Sequence, residues 1–420
     1  MRSCPTGAGQ ANPCTGRSAH RFRLFGVDHR TGTPVVGMIG GGQLARMTHQ
    51  AAIPLGQSLR VLATSPDDPA ALVAPDVRIG HHTDLDALKD FAQGCDVVTF
   101  DHEHVPGEHL RALAAAGVAV HPGPDALLHA QDKLVMRHKL DELGLPVPPY
   151  AEVTKPADVL EFGAEHGWPC VLKAARGGYD GRGVWVLNTP EGAKRTTTEL
   201  LDAGSPLLVE QRVPLRRELA ALVARSPFGQ GAVWPLVETV QSDGICVQVL
   251  APAPGASEAL TQQAQDIALK VAESLGVVGV LAVELFETDG GLVVNELAMR
   301  PHNSGHWTIE GSRTSQFEQH VRAVLDYPLG STEITAPAVV MANVLGAPTE
   351  PKMGVDERLH HLFARFPQAK VHLYGKAERP GRKVGHVTLL GDRMDEVREQ
   401  ARLAAHFLSA AEWPDGHRIH

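Results

Sequence analysis

The sequence is poor in aromatic residues, in cysteine and in long hydrophobic runs. Phe, Trp and Tyr make up only 5% of its 420 residues, which disfavours a protein that stacks the bases of single-stranded nucleic acid. Acidic residues outnumber basic ones by 48 to 39, and this balance argues against a general binder of nucleic acid or of acidic membranes. No run of about 18 apolar residues occurs, so we expect no membrane-spanning helix.

Cysteine usage and the N-terminal composition predict a reducing compartment. The first 33 residues lack the apolar core of a signal peptide, and we expect a disordered extension over 1–33 or an over-extended start, with an organelle transit peptide as the alternative. An odd number of cysteines without such a signal predicts a cytoplasmic protein. No CxxC pair of a zinc site occurs among the five cysteines, which are Cys4, Cys14, Cys95, Cys170 and Cys246.

Hydrophobic patterning divides the remaining chain into three parts. Over 34–133, short apolar segments such as Val35–Ile39 alternate with helical patterns, which is typical of a parallel sheet covered on both faces. Over 134–330 short strands dominate, and a smaller lobe is expected at about 145–205. A further small β-rich unit is expected over 331–420. We therefore predict a protein of the α/β and α+β classes with three ordered domains.

A glycine cluster at 40–42 separates the first predicted strand from the first helix. Backbone N–H groups at such a helix start can face an anion. A dinucleotide site would also need an acid about 20 residues later, but the second predicted strand ends in Ala63-Thr64-Ser65. Three interpretations remain open for the cluster, namely a phosphate or substrate contact, a structural turn and an NAD site.

A second glycine-rich segment reads RGGYDGRG over 176–183 and follows a predicted strand that carries Lys173. Each glycine in a strand costs about 0.5–1 kcal/mol, so packing alone does not account for this loop. Its backbone amides can surround a triphosphate beside the charge of Lys173. The alternative is a flexible surface hairpin.

Two acids lie on adjacent predicted strands, Glu284 in VELF and Glu296 in VNEL, each flanked by apolar residues. A turn between the strands would bring the two carboxylates side by side. Close carboxylates in an apolar setting repel each other unless a cation joins them. Mg²⁺ prefers carboxylate oxygens together with nucleotide phosphates, so the pair predicts a magnesium site, with two solvated acids as the alternative.

Two further segments are dense in polar side chains. RPHNSGHW over 300–307 follows the second acidic strand and can present hydrogen-bond donors to an anionic substrate. The spacing of His302 and His306 leaves a zinc pair as an alternative there. KAERPGRK over 376–383 gathers four cations around a turn, which is either a local phosphate site or a solvated edge.

Together these segments resemble the ATP-grasp superfamily. The resemblance implies a parallel-sheet N-terminal domain of the biotin-carboxylase type, then an ATP-grasp domain that holds ATP between two α+β lobes. The metal ions would be two Mg²⁺, with Mn²⁺ as an alternative, held by Glu284 and Glu296 beside Asn295. Glu218 would hold the ribose, and Gln241 would lie near the nucleotide. The other residues implied to bind ATP are Lys133, Lys173, Gly178, Tyr179, Asp180, Gly181, Arg182, Gly183, Glu210, Gln211, Arg212 and Val213.

Four motifs in order along 34–390 are similar to the 5-(carboxyamino)imidazole ribonucleotide synthases: GGQLARM, GGYDGRG, NE with RPHNSGHW, and RPGRKVGH. This resemblance implies ATP-dependent carboxylation of 5-aminoimidazole ribonucleotide with bicarbonate, through carboxyphosphate, in purine biosynthesis. It also implies a homodimer and a downstream mutase partner. The implied catalytic residues are Arg300, His302, Asn303 and Ser304, with Tyr179, Asp180 and Arg182 as a lid. The implied ribonucleotide contacts are Gln43, Leu44, Glu103, His302, Lys376, Arg382 and Lys383.

Two positions depart from this family's pattern. Gln241 stands where His is usual, and Asp101-His102 stands where Glu and an aromatic residue are usual. The rival interpretations are a formate-using glycinamide ribonucleotide transformylase, which usually carries Glu in place of Gln43, and a biotin-carboxylase-like enzyme. A catalytically silent nucleotide-binding protein and an NAD oxidoreductase are the rivals from other classes.

Overall fold

The computed structural model describes residues 31–57, 59–178 and 183–418. The predicted disorder of 1–33 concerns residues that lie almost entirely outside these ranges. The same is true of four residues of the second glycine loop, Tyr179, Asp180, Gly181 and Arg182.

The N-terminal part is a five-stranded, fully parallel sheet in the order β3-β2-β1-β4-β5, as the alternating pattern predicts. Strands β1, β2 and β4 are almost wholly buried because helices cover both faces. The strands are β1 (Val36–Ile39), β2 (Leu59–Ala63), β3 (Asp76–Ile79), β4 (Val97–Phe100) and β5 (Ala119–Val120). The helices are α1 (Gln43–Ala52), α2 (Leu85–Ala92), α3 (Gly107–Ala115) and α4 (Pro124–Gln131), and α5 (Lys133–Glu142) follows.

The next segment is a small lobe, a four-stranded antiparallel sheet in the order β6-β9-β7-β8 with two helices. Its β7–β8 hairpin carries the second glycine loop. Lys173 on β7 is paired with Leu208 and Val171 with Glu210, so Lys173 and Glu210 are diagonal neighbours on one face. The elements are β6 (Tyr150–Val153), α6 (Pro156–His166), β7 (Cys170–Ala174), β8 (Val184–Leu187), α7 (Pro190–Asp202) and β9 (Leu207–Gln211).

The rest of the chain builds a nine-stranded sheet in the order β15-β14-β10-β12-β13-β16-β18-β17, with β11 paired to β10. Its first strands are β10 (Arg217–Arg225), β11 (Gly231–Val233), β12 (Val237–Ser242), β13 (Ile245–Ala251), β14 (Gly279–Thr288) and β15 (Gly291–Ala298). The later strands are β16 (Ala338–Leu345), β17 (Lys370–Leu373) and β18 (Lys383–Gly391). The helices are α8 (Glu258–Ser274), α9 (Thr308–Gly311), α10 (Gln316–Val324), α11 (Val355–Arg365) and α12 (Met394–Ala410).

This large sheet runs through two of the predicted domains. Strand β16, after the predicted boundary at 330, pairs antiparallel with β13 before it. The C-terminal unit is therefore joined to the preceding domain by backbone hydrogen bonds along a strand. The mixed architecture of parallel and antiparallel sheets agrees with the predicted fold class.

Candidate active site

A cleft of about 1880 Å³ lies where the three parts of the chain meet. Loops after the parallel strands form one wall, the small-lobe sheet forms another, and the large sheet forms the floor. Most of the polar segments noted in the sequence contribute to it, including the residues around Gln43, Lys173, Glu284, Arg300 and Lys376. The cleft is large enough for a nucleotide and a second substrate together.

The two acids of the predicted metal site face each other across strands β14 and β15. Glu284 is paired with Glu296, but Leu285 is paired with Val294, so Asn295 is the extra residue of a β-bulge. The bulge places Asn295 beside the acids rather than on the opposite face. Its Nδ2 donates to Glu284 Oε2 at 3.4 Å, and its Oδ1 accepts from Lys173 Nζ at 3.3 Å.

The electrostatics of this acid pair suit a divalent cation. Burial, together with the nearby charges of Glu296 and Glu218, raises the pKa of Glu284 to about 7. Lys133 Nζ lies 2.5 Å from Glu296 Oε1 and offsets part of the charge. Within the described ranges no three His, Cys, Asp or Glu side chains are grouped to hold a metal unaided, so other ligands such as phosphate oxygens and water would have to complete the coordination.

A buried ion cluster lies beside the acids. Glu210, 2% exposed, accepts from Lys173 Nζ at 2.6 Å and from Arg137 Nε at 2.7 Å. Burial alone would raise the pKa of the Glu210 carboxyl, but the two cations outweigh it and lower that pKa. Both carboxylate oxygens of Glu210 thus accept hydrogen bonds from these two cations. Beyond it, Gln211 Nε2 donates to His166 O, while Arg212 and Val213 line the cleft.

Gln241, one of the departures from the family pattern, contacts the predicted ribose-binding acid. Glu218 on β10 is paired with Thr239 on β12, and Gln241 lies two residues further on. Burial raises the pKa of Glu218, and a side-chain hydrogen bond from Gln241 partly opposes that shift. An uncharged Gln therefore keeps a hydrogen bond to this carboxylate.

Arg300, which follows strand β15, forms an ion pair with Glu103 of the N-terminal part. Arg300 Nε donates to Glu103 Oε2 at 2.6 Å, and both side chains line the cleft. Arg300 Nη1 also reaches Pro301 O at 3.2 Å. The predicted anion-holding arginine is therefore oriented by the predicted ribonucleotide contact Glu103, a pairing that sequence analysis did not anticipate.

The histidines of the 300–307 segment have different environments. His302 Nδ1 accepts from the Ser304 N–H at 3.3 Å, which leaves the proton on Nε2, 3.4 Å from Glu284 Oε1. Burial, helped by Arg300 and Lys383, lowers the pKa of His302 to about 3, so the ring is neutral. His306 points into the core, where its Nδ1 lies 3.1 Å from Gln316 Nε2. Asn303 and Ser304 line the cleft beside His302.

The predicted ribonucleotide contacts come from both ends of the chain. Lys376 Nζ donates to Gln43 Oε1 at 2.5 Å. Leu44 lines the cleft but is largely buried in an apolar cluster with Met47, Phe317 and Tyr374.

The two cations after Lys376 have different positions. Arg382 is exposed, and its Nη1 donates to Ala377 O at 3.2 Å. Lys383 lines the cleft, and its charge opposes in part the rise that burial causes in the pKa values of Cys246 and Glu284.

The first glycine cluster has an internal partner. Asp101 Oδ2 accepts from Gly42 N at 2.6 Å, and Oδ1 accepts from Ala45 N at 2.9 Å. A Cβ on Gly42 would lie 2.2 Å from Asp101 Oδ2, so any other residue there would displace this carboxylate from its two N–H donors. The cluster therefore forms a turn in which Asp101 accepts from two N–H groups at the start of α1. Gly42 and Gln43 also line the cleft, and a substrate contact there stays a prediction.

Two further residues organise the site, although neither was predicted from the sequence. Arg137 joins Glu210 to Asn295, whose backbone oxygen accepts from Arg137 Nη2 at 2.7 Å. Asp132 caps α5 and pairs with Arg176 of the glycine loop. The spacing of Arg137 could have indicated a place in the site, because it is four residues after Lys133 and lies on the same face of helix α5.

Three family models match the chain. The ATP-grasp domain matches residues 138–317, the Ribonucleotide synthetase preATP-grasp domain matches 34–131, and the Phosphoribosylaminoimidazole carboxylase C-terminal domain matches 339–400. The chain is 64% identical over 384 residues to an N5-carboxyaminoimidazole ribonucleotide synthase of Mycobacterium tuberculosis, covering 91% of this chain and 90% of that relative. It is 51% identical over 392 residues to the synthase of Corynebacterium ammoniagenes, covering 92% and 95%.

Solved structures similar to this chain carry the same family name as the sequence relatives. The N5-carboxyaminoimidazole ribonucleotide synthetase of Thermus thermophilus matches with a TM-score of 0.79 and 41% identity, covering 90% of this chain and 99% of that one. The synthase of Aspergillus clavatus, in complex with ADP and 5-aminoimidazole ribonucleotide, matches with a TM-score of 0.81 and 33% identity, covering 89% and 98%. By identity and coverage, this chain belongs to the family of N5-carboxyaminoimidazole ribonucleotide synthases.

Proposed function

We infer that this chain uses ATP and bicarbonate to carboxylate 5-aminoimidazole ribonucleotide, giving N5-carboxyaminoimidazole ribonucleotide, ADP and phosphate. The observation that carries this inference is that two differently built groups of residues line one cleft. We assign Lys133, Lys173 and Glu218 to a nucleotide and call this group the nucleotide end. We assign Gln43, which is bonded to Lys376, to a second, phosphorylated substrate.

The reaction proceeds in two substitutions. A bicarbonate oxygen attacks the γ-phosphorus of ATP, the bond to ADP breaks, and carboxyphosphate forms. The exocyclic amine of the ribonucleotide then attacks the carboxyl carbon, phosphate leaves, and the amine loses a proton. Arg300, held by Glu103, supplies positive charge for the carboxyphosphate, with the neutral His302 beside it.

The nucleotide end supplies the remaining protein groups. Lys133 and Lys173 direct their charges at the phosphates, and Glu218 accepts from the ribose while Gln241 orients it. Carboxyphosphate hydrolyses readily, so water must be kept out. The predicted lid residues Tyr179, Asp180 and Arg182 lie outside the described residues, and their role rests on the family resemblance.

Glu284 and Glu296 would hold the metal, two Mg²⁺ ions in our proposal with Mn²⁺ as the alternative. The pKa of Glu284 is raised mainly by burial and then by repulsion from Glu296. Two carboxylates that repel each other in this way are suited to sharing a divalent cation. When bound, the ions neutralise charge on the γ-phosphate and on the leaving ADP.

Other aspects of the function remain predictions from the sequence. These are the homodimer, a downstream mutase that takes up the product, and a cytoplasmic location. None of the helices in the described part of the chain is long and apolar enough to cross a membrane.

The decisive experiment measures ADP release from Mg-ATP and bicarbonate, with and without 5-aminoimidazole ribonucleotide. We expect strong stimulation by the ribonucleotide that disappears when bicarbonate is removed. Stimulation by glycinamide ribonucleotide and formate instead would assign the chain to the transformylases. Absence of ADP release with either pair would overturn the proposed reaction.

A further inference from the structure

Arg137 is a fully buried cation whose partners all belong to the nucleotide end of the cleft. Its Nε donates to Glu210 Oε1 at 2.7 Å, and its Nη2 donates to the backbone oxygen of Asn295 at 2.7 Å. Asn295 precedes Glu296, one of the two acids of the proposed metal site. The Arg137 guanidinium therefore bonds both to β9 of the small lobe and to β15, the strand that carries Glu296. Lys173 occupies the other oxygen of Glu210 at 2.6 Å.

Stability does not explain an arginine at this position. Its Nη1 has no hydrogen-bond partner among the residues described, and an unsatisfied buried donor costs free energy. Buried ion pairs are often no more stable than apolar side chains of similar size. The arginine therefore needs a reason beyond holding the fold.

The local charges supply that reason. Arg137, Lys173 and Glu210 together carry one formal positive charge, and Lys173 and Glu210 line the cleft while Arg137 lies behind them. Without Arg137 the remaining pair would be neutral, and of the two cations only Lys173 would be left to neutralise Glu210. Lys173 would then be bound to its own carboxylate instead of attracting an anion.

We propose that Arg137 is a positioning residue that neutralises Glu210, so that the charge of Lys173 remains available to the phosphates of the nucleotide. The proposal rests on the ATP use inferred above. Arg137 does not reach the nucleotide itself but acts through Glu210 and Lys173. Arginine suits the task because its planar fork holds two oxygens in fixed directions and keeps its charge when buried.

The test measures the dissociation constant of ADP, in the presence of MgCl₂, for the full chain and its variants by titration calorimetry. Arg137→Gln should weaken ADP binding about tenfold. Adding Glu210→Gln restores one net positive charge, on Lys173, and should bring the dissociation constant back to within about threefold of the parent protein. A merely structural role would instead make the double variant bind at least as weakly as Arg137→Gln.

Two further variants keep the test decisive. Arg137→Lys keeps the charge but loses the fork, and it should bind ADP within about threefold of the parent. The control is Arg60→Gln, because Arg60 also bonds a carboxylate and a backbone oxygen, those of Asp76 and Phe91, on the N-terminal sheet. This control should leave ADP binding unchanged.

The outcomes separate this proposal from the proposed function. Unchanged ADP binding in Arg137→Gln, or a double variant no better than that single variant, overturns the role of Arg137. If Arg137→Gln does not fold, the double variant is compared with the parent protein alone. A dissociation constant for ADP more than about tenfold above that of the parent would then also overturn the role of Arg137. A parent protein that fails to bind ADP overturns ATP use itself, whereas ADP binding without carboxylation overturns only the substrate assignment.

Discussion

Lys376 donates a hydrogen bond to Gln43 at 2.5 Å and so connects the C-terminal unit to the first turn of helix α1. The two residues are 333 positions apart in the chain. Both residues line the cleft, where their contact joins the N-terminal and C-terminal parts, whereas Lys173 lies on the small-lobe strand β7. That separation makes the roles of the two lysines testable by kinetics.

Lys376→Ala should raise the KM for 5-aminoimidazole ribonucleotide about tenfold or more and leave the KM for ATP nearly unchanged, because only one end loses its cation. Steady-state kinetics with each substrate varied in turn measures this. Lys352→Ala, an exposed lysine of the same unit, serves as the control. An equal rise in both KM values would contradict the assignment of Lys376 to the ribonucleotide.

Lys173→Ala should have the reverse effect, raising the KM for ATP about tenfold or more with little change for the ribonucleotide. The substitution removes the cation of the ion cluster that lines the cleft, while Glu210 keeps Arg137 as a partner. The same kinetic design applies. A variant with a normal ATP KM would show that the nucleotide binds elsewhere in the cleft.

Glu296→Gln should raise the Mg²⁺ concentration needed for half-maximal ADP release by about tenfold or more, because one of the two facing carboxylates is lost. A magnesium titration at saturating ATP measures the shift. Asp289→Asn is the matched control, since Asp289 is exposed in the turn of the same hairpin and pairs with Arg216. Full ATPase activity at the original magnesium requirement would refute the metal assignment.

The free energy of unfolding should fall as the pH falls below 6.5. Burial lowers the pKa of His320 to about 3, from 6.5 for an unperturbed side chain. The unfolded chain therefore takes up a proton that the folded chain does not, and stability is lost as the pH drops from 6.5 towards 3. Each such histidine should contribute about 1.4 kcal/mol between pH 7.5 and 5.5.

Urea unfolding at these two pH values measures this loss. His320 is a suitable target because its Nδ1 accepts from Val280 N at 3.2 Å and its Nε2 lies 2.7 Å from Thr99 Oγ1. In His320→Gln, the loss of unfolding free energy between pH 7.5 and 5.5 should be smaller by about 1.4 kcal/mol, the contribution of one such histidine. The exposed His417→Gln should leave the slope unchanged. A slope that persists in full in His320→Gln would contradict the prediction.

Local patterns in the sequence predicted those parts of the fold that depend on near neighbours. The buried strands β1, β2 and β4 and the β14–β15 hairpin follow from apolar runs and turn residues. Strand β3 was missed because Asp76 and Arg78 interrupt its apolar residues, so it lacks the signal of a buried strand. The glycine cluster at 40–42 was recognised, but its partner Asp101 was not.

The sequence by itself determined the chemical inventory of this protein: the glycine loops, the acid pair, the cationic turn and the alternation of strands and helices. These features depend on residues close together in the chain, whose spacing is set by the periods of helix and strand. Tertiary structure alone decided which of them meet. Glu103 and Arg300 are 197 residues apart, and Asn295 joins the acids only through a β-bulge, because such contacts are set by the packing of distant elements.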